Sequence, residues 1–230
     1  MSAQIVCMEQ VDKIYVNGEE KTYALQNMNL TLNQGEFTAL CGPSGSGKTT
    51  ALNLIGILDS PSKGRIVVEG KDLGTLTRSA QAAMRKQRIG FIFQAYNLIP
   101  VLSVYENAEF VLMLKGVPMP ERRAKVMAIL DIVGMADKAD RRPHQISGGQ
   151  QQRVAIARAV AGEPALVLAD EPTANVDSKT ADGLLDLMER LNTQRGVTFL
   201  FSTHDPRVME RARRIVTLKD GTVTNDSVKQ

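Results

Sequence analysis

The chain has 230 residues, 43% of them hydrophobic, with 28 Lys and Arg against 25 Asp and Glu for a formal charge of +3. That apolar content fits a packed core in one large domain, while so slight a positive excess gives no electrostatic case for a nucleic-acid partner. The longest apolar runs, such as residues 110–114, fall far short of the roughly 20 residues that cross a bilayer, so the expectation is a cytoplasmic chain that meets a membrane only through a partner.

In chain order, the first segments read as short strands at residues 5–8 and 25–32, the second with alternating apolar residues, then an Asn33-Gln34-Gly35 turn before an apolar strand at 37–41. Cys7 and Cys41 lie in these strand-like segments without metal-ligand spacing, as buried thiols of a reducing compartment do. A helix is expected over 48–58, a turn around Pro61 and Gly64, and strands at 65–68 and 89–93, the latter ending at Gln94. Residues 95–160 show helical periods at 104–115 and 121–133, with Pro120 as an N1 residue and Gly134 as C′, and a further helix at 151–161. Strand and helix then alternate again: a continuous apolar strand at 165–169, a helical stripe of Leu184, Leu185, Met188 and Leu191, a strand at 197–202, and a hairpin about Asp220-Gly221.

Three local patterns carry chemistry. Gly42-Pro43-Ser44-Gly45-Ser46-Gly47-Lys48-Thr49 satisfies G-x-x-x-x-G-K-[ST] directly after a strand. Such a loop curls its backbone N–H groups onto phosphate oxygens at a helix N-terminus; Lys48 is expected to reach the β- and γ-phosphates, Thr49 to hold Mg²⁺, and Thr50 to complete the nucleotide-binding set. An ordinary Gly-rich turn is the competing reading. Asp170 and Glu171 end a buried strand, where open α/β sheets bind ligands. Asp170 suits a Mg²⁺ contact and Glu171 a general base for an attacking water; a capped helix start is the plainer alternative. Ser147-Gly148-Gly149-Gln150 opens a helix and offers a second anion site.

Residues 146–153, Ile-Ser-Gly-Gly-Gln-Gln-Gln-Arg, resemble the signature motif of the ATP-binding-cassette (ABC) ATPases. Gln94 resembles that family's Q-loop, Ala174-Asn175-Val176-Asp177 its D-loop, His204 its switch histidine, and Tyr15 the aromatic that stacks on adenine. Ile146 and Val176 replace the usual leucines, and neither change removes a polar group. The resemblance implies a single α/β domain over residues 1–230: a P-loop NTPase (RecA-like) core from 1–94 and 161–230 with an antiparallel β edge, and a helical signature-motif subdomain at 95–160. It implies an ATP hydrolase with ATP and Mg²⁺ as cofactors, the metal held by Thr49, Gln94 and Asp170, and with Glu171, His204 and Lys48 as catalytic residues. It implies a head-to-tail dimer, with a second copy or a related cassette, in which Ser147, Gly148, Gly149 and Gln150 close over the partner's nucleotide and Asp177 links the two sites.

Finer resemblance, through Leu52-Asn53-Leu54-Ile55-Gly56, Leu58-Asp59-Ser60-Pro61 and residues 91–98, is to lipoprotein-release, macrolide-efflux and cell-division ATPases. It implies a peripheral subunit on the inner face of a bacterial plasma membrane, bound to a four-helix permease with a periplasmic domain; the apolar segment 96–102 matches the place where family members receive the permease's coupling helix, and burial against its own helical subdomain is the competing reading. An ATPase that regulates a periplasmic enzyme or relays a signal is the alternative, and an importer subunit a third.

Overall fold

Strands buried on both faces still alternate, because successive side chains leave a strand on opposite sides. The computed structural model, which describes residues 3–229, shows this at the centre of a six-stranded sheet. Its strands are β3 (Phe37–Cys41), β6 (Ile89–Ile92), β7 (Leu166–Asp170), β8 (Thr198–Thr203), β9 (Arg214–Lys219) and β10 (Thr222–Val228), in the order β10-β9-β3-β8-β7-β6. All neighbours run parallel except the β9–β10 hairpin, whose turn residues Asp220 and Gly221 both have positive φ, as a two-residue hairpin turn requires.

One face of this sheet, through Phe37, Val167, Ala169, Phe199 and Phe201, shares a buried cluster with α3 (Val104–Leu114), α4 (Met119–Ile132), α5 (Gly148–Ala161), α6 (Ser178–Arg195) and α7 (Pro206–Arg211). The other face, through Leu40, Leu166, Leu168 and Leu200, packs on α1 (Lys48–Ile55) and on a second, antiparallel sheet. That sheet contains β1 (Gln4–Asn17), β2 (Glu20–Asn33), β4 (Lys63–Val68) and β5 (Lys71–Asp72), ordered β2-β1-β4-β5. Helix α1 therefore lies between two sheets, its apolar residues Leu52, Leu54 and Ile55 buried in one continuous core.

The structure revises several expectations. The two N-terminal strands are 14 residues each, longer than their apolar cores, because they pair as one hairpin with exposed ends. Helix α1 stops at Ile55. Helix α2 (Arg78–Arg88), not foreseen, is capped by Thr77 and buries only Met84, so it has no apolar stripe to read. Pro120 is the second residue of α4, since Pro118 is its N-cap. Helix α5 begins at Gly148, three residues early, because Ser147 and Gln150 form a reciprocal capping box. Cys41 is buried and free, and burial pushes its thiol up to about 11.

Arg214 joins the two sheets: it donates to the Thr31 carbonyl on β2 at 2.7 Å, to Glu36 at 3.0 Å, and to both carboxylate oxygens of Asp226 at 2.8 and 2.7 Å. The Arg214 bonds hold the Asp226 carboxyl below its ordinary value. A depressed carboxyl stabilises the fold above its unfolded pKa and loses that contribution as pH falls through the folded value. The thermal midpoint is therefore expected to fall from about pH 5 downward, and Asp226→Asn to lower it at neutral pH while flattening this acid limb, as measured by thermal melts across pH.

Candidate functional site

The loop between β3 and α1 owes its shape to close backbone contacts. Gly42 has φ +152° and Gly47 φ +100°, and a Cβ at either would collide with a carbonyl oxygen, of Leu218 on β9 and Ala24 on β2 respectively. Only glycine fits both. The Gly221 N–H donates to the Ser46 carbonyl at 3.1 Å, so the β9–β10 turn also supports the loop. Lys48, the first residue of α1, is buried, and its ammonium donates to the Gly42 and Pro43 carbonyls at 2.8 and 2.9 Å. Its charge is thus held at the concave side of the loop.

Parallel pairing brings the other groups alongside. Asp170, at the end of β7, pairs in register with Ser202 of β8, and Ser202 also pairs with Leu40 of β3. Thr49 at the start of α1 donates its hydroxyl to the Asp170 carboxylate at 3.1 and 3.2 Å. A hydroxyl and a carboxylate so placed are hard oxygen donors of the type Mg²⁺ takes, with its remaining positions left to water and phosphate oxygens. The donor set therefore fits that ion. Glu171 follows with φ 44°, a left-handed conformation rare for a residue with a side chain and found at sites that over-determine their geometry. Its Oε2 accepts from the Thr203 hydroxyl at 3.2 Å and its Oε1 lies 2.7 Å from His204 Nδ1. The Glu171 side chain is 14% exposed and that of His204 73%, so the carboxylate sits deep and the imidazole stands at the rim.

Ser44, Gly45, Gly47, Lys48, Thr49, Thr50, Gln94, Glu171 and His204 line one cleft of about 450 Å³. Thr22, Tyr23, Ala24 and Ser202 line it too and were not foreseen. Tyr15 is not among the lining residues. It pairs with Thr22 across the β1–β2 hairpin, so it stands beside the cleft, 42% exposed, with its hydroxyl donating to Asp59 at 3.1 Å. Ser147, Gly148, Gly149 and Gln150 do not line the cleft either; they form the first turn of α5, with Ser147 exposed. Asp177 caps α6 through the Thr180 N–H at 3.0 Å and hydroxyl at 2.6 Å, which lower its carboxyl pKa.

Hydrogen bonds lace these separate motifs together. Asn175 donates to the Gln94 carbonyl at 2.8 Å, and its own carbonyl accepts from the Tyr96 hydroxyl at 2.9 Å. Arg158, half-buried on α5, donates to the Tyr96 and Asn97 carbonyls. Gln152, fully buried on the same helix, donates to the Pro172 carbonyl just after Glu171 at 2.7 Å. Sequence reasoning missed Arg158, and it placed Gln152 and Asn175 in the signature and D-loop motifs without foreseeing these contacts, whose partners lie well apart in the chain. The apolar segment 96–102 divides: Leu98 packs into the helical core, Val101 is exposed, and buried Asn107 holds Ile99 and Leu102 by their backbones.

The family model "ABC transporter" matches residues 25–174. The lipoprotein-releasing system ATP-binding protein LolD of Anaeromyxobacter dehalogenans is 48% identical over 217 residues, covering 94% of this chain and 91% of that protein. The macrolide export ATP-binding/permease protein MacB of Brucella melitensis is 40% identical over 99% of this chain, which spans 35% of that longer protein. Among solved structures, the dimeric post-hydrolysis state of the cassette MJ0796 of Methanocaldococcus jannaschii, bound to ADP and Pi, superposes with a TM-score of 0.91 at 42% identity, covering 98% of this chain and 99% of that one.

A Cβ on Gly149 would collide with the Thr180 methyl, so the first turn of α5 and the first turn of α6 touch through the absence of one side chain. Gly149→Ala is expected to destabilise by about 1–3 kcal/mol through overpacking. Thr180→Ser, which removes the methyl and keeps the hydroxyl on Asp177, should restore most of the lost melting temperature.

Proposed function

The chain belongs to the ABC transporter family, and from that premise we propose that it is the ATP-hydrolysing subunit that powers a separate membrane permease of the exporting or envelope-extracting kind. The observation that carries this reading is the meeting of Lys48, Thr49–Asp170, Glu171 and His204 at the C-terminal ends of three adjacent parallel strands. Phosphates enter over the loop N–H groups and the N-terminus of α1. Lys48 exchanges the Gly42 and Pro43 carbonyls for β- and γ-phosphate oxygens, which offer full negative charge in place of a dipole. Thr49, Asp170 and the Gln94 side chain would hold Mg²⁺, which would supply positive charge against the phosphate oxygens. Glu171, steadied by Thr203 and His204, takes the proton of the attacking water, and His204 turns from the rim to the γ-phosphate. Tyr23 in the cleft wall and Tyr15 beside it are the aromatic surfaces for the base.

The signature residues lie outside their own chain's cleft, so a second copy placed head to tail has to supply Ser147, Gly148, Gly149 and Gln150. ATP then joins the two copies, and its hydrolysis removes the bonds that keep them closed. Asp177, beside Gly149 through Thr180, carries the state of one site to the other. The permease is of the four-helix type with a periplasmic domain, met at the inner face of the membrane. MacB, whose name joins cassette and permease, and LolD, named for lipoprotein release, support a permease partner of the exporting or extracting kind.

Glu171→Gln is expected to retain ATP binding and lose about 10² to 10⁴ in turnover, the span of a general base; undiminished hydrolysis would remove Glu171 from that role. Lys48→Ala should weaken ATP binding itself, since a charge-assisted phosphate contact disappears, and an unchanged titration would count against the assignment. Tagged Glu171→Gln recovered with ATP from detergent-solubilised membranes should bring with it a permease bearing a large periplasmic domain. Recovery with a secreted binding protein would indicate import, and recovery with a periplasmic enzyme a regulatory complex.

A further inference from the structure

The segment after α1 folds back onto the first hairpin and holds one aromatic residue from two directions. Asp59 Oδ1 accepts from the Lys13 ammonium at 2.7 Å and Oδ2 from the Tyr15 hydroxyl at 3.1 Å. The same ammonium donates to the Ser60 carbonyl at 2.9 Å and lies 4.8 Å from the centroid of the Tyr15 ring. Two further bonds lace this segment to β1: the Ile14 N–H donates to the Ser62 hydroxyl at 2.9 Å and the Ser62 N–H to the Asp12 carbonyl at 2.8 Å. The ammonium side is shielded, with the Lys13 side chain only 11% exposed, while the Asp59 side chain is 33% exposed. Burial alone would raise the Asp59 carboxyl, yet the bonds from Lys13, Ser60 and Tyr15 leave it below its ordinary value.

An isolated surface ion pair contributes little, but this one fixes a ring in place. The hydroxyl bond sets where the ring points, and the ammonium takes one of its faces in a cation–π contact. The ring remains 42% exposed, and its cross-strand neighbour Thr22 lines the cleft. We propose that Asp59 and Lys13 are positioning residues that hold Tyr15 as a preset platform for the nucleotide base, with the ammonium on one ring face and the base on the other. The phosphate-binding end and the base-binding end of the site are then anchored through opposite ends of the same helix: Lys48 begins α1 and Asp59 follows its last turn.

This inference rests on the proposal that the cleft takes ATP, and two probes separate the claims. ATP and inorganic tripolyphosphate, each with Mg²⁺, are titrated calorimetrically into the full chain. Asp59→Ala and Tyr15→Ala are each expected to weaken ATP binding about 2- to 10-fold, the scale of one aromatic stacking contact. Both should leave tripolyphosphate within about twofold, which also reports that the phosphate loop is folded. Asp59→Ala added to Tyr15→Ala should cost nothing more, and Asp59→Asn, which keeps an acceptor for the hydroxyl, should lose less than Asp59→Ala. Equal weakening of tripolyphosphate by Asp59→Ala, or an additive double variant, would overturn the clamp and leave the ATP reading intact. If Tyr15→Ala binds ATP normally, the base platform falls and the clamp with it. Failure of the unaltered chain to bind either probe would dismiss the nucleotide reading itself.

Discussion

Everything at the cleft depends on β8 lying between β3 and β7 in a fixed parallel register. Ser202 of β8 faces Leu40 on one side and Asp170 on the other, so Thr203 and His204 emerge beside Glu171. That register is locked by burial on both faces. Phe199 and Phe201 belong to the helical side of the core and Leu200 to the α1 side, and a slip of one residue would exchange them. The Phe37 ring, 4.6 Å from Phe201 between centroids, ties β3 into the same arrangement. The geometry of the cleft is here a by-product of core packing: apolar side chains hold the strands that the polar ones merely terminate.

Polar contacts then connect regions that packing alone would leave independent. The loop after β6 is held by Asn175 from beyond Glu171 and by Arg158 from α5, while Gln152 of α5 grips the turn at Pro172. Three segments far apart in sequence thereby share backbone partners. The first turn of α5 lies against Tyr96 at Gly148 and against Thr180 at Gly149, the one bonded to Asn175 and the other to Asp177. Among the described residues, the Gln152 Oε1 and the Ser46 and Ser202 hydroxyls are buried without a protein partner.

How much was legible in the sequence follows from how local each signal is. The phosphate loop could be read because its glycines, lysine and threonine must sit at set spacing, and Asp170-Glu171 because a short apolar run delivers them. The central strands were equally plain, as continuous apolar runs between turn residues. Helix α2 was invisible because its Arg, Lys and Gln residues leave only Met84 to bury. The cleft-lining position of Tyr23 was hidden for a different reason: β1 and β2 carry several register irregularities, one between Lys13 and Ile14, so alternation along the strand cannot be carried through to the hairpin tip. Arg158 and Asn175 have partners 62 and 81 residues away, and no spacing rule reaches that far.

The phosphate loop is shaped by strands that come much later in the chain. Gly42 packs on the Leu218 carbonyl, and the Ser46 carbonyl accepts from Gly221, which also receives the Gln26 N–H. The loop looks like a local motif, yet its walls are non-local. Contacts of such long range close large loops, whose entropy must be offset before the contacts stabilise anything. On the ribosome, the loop residues emerge long before Leu218 and Gly221, and until those arrive the nascent chain lacks the surfaces that curl them. The segment with the plainest sequence signature therefore cannot take its final walls until the C-terminal hairpin has been made.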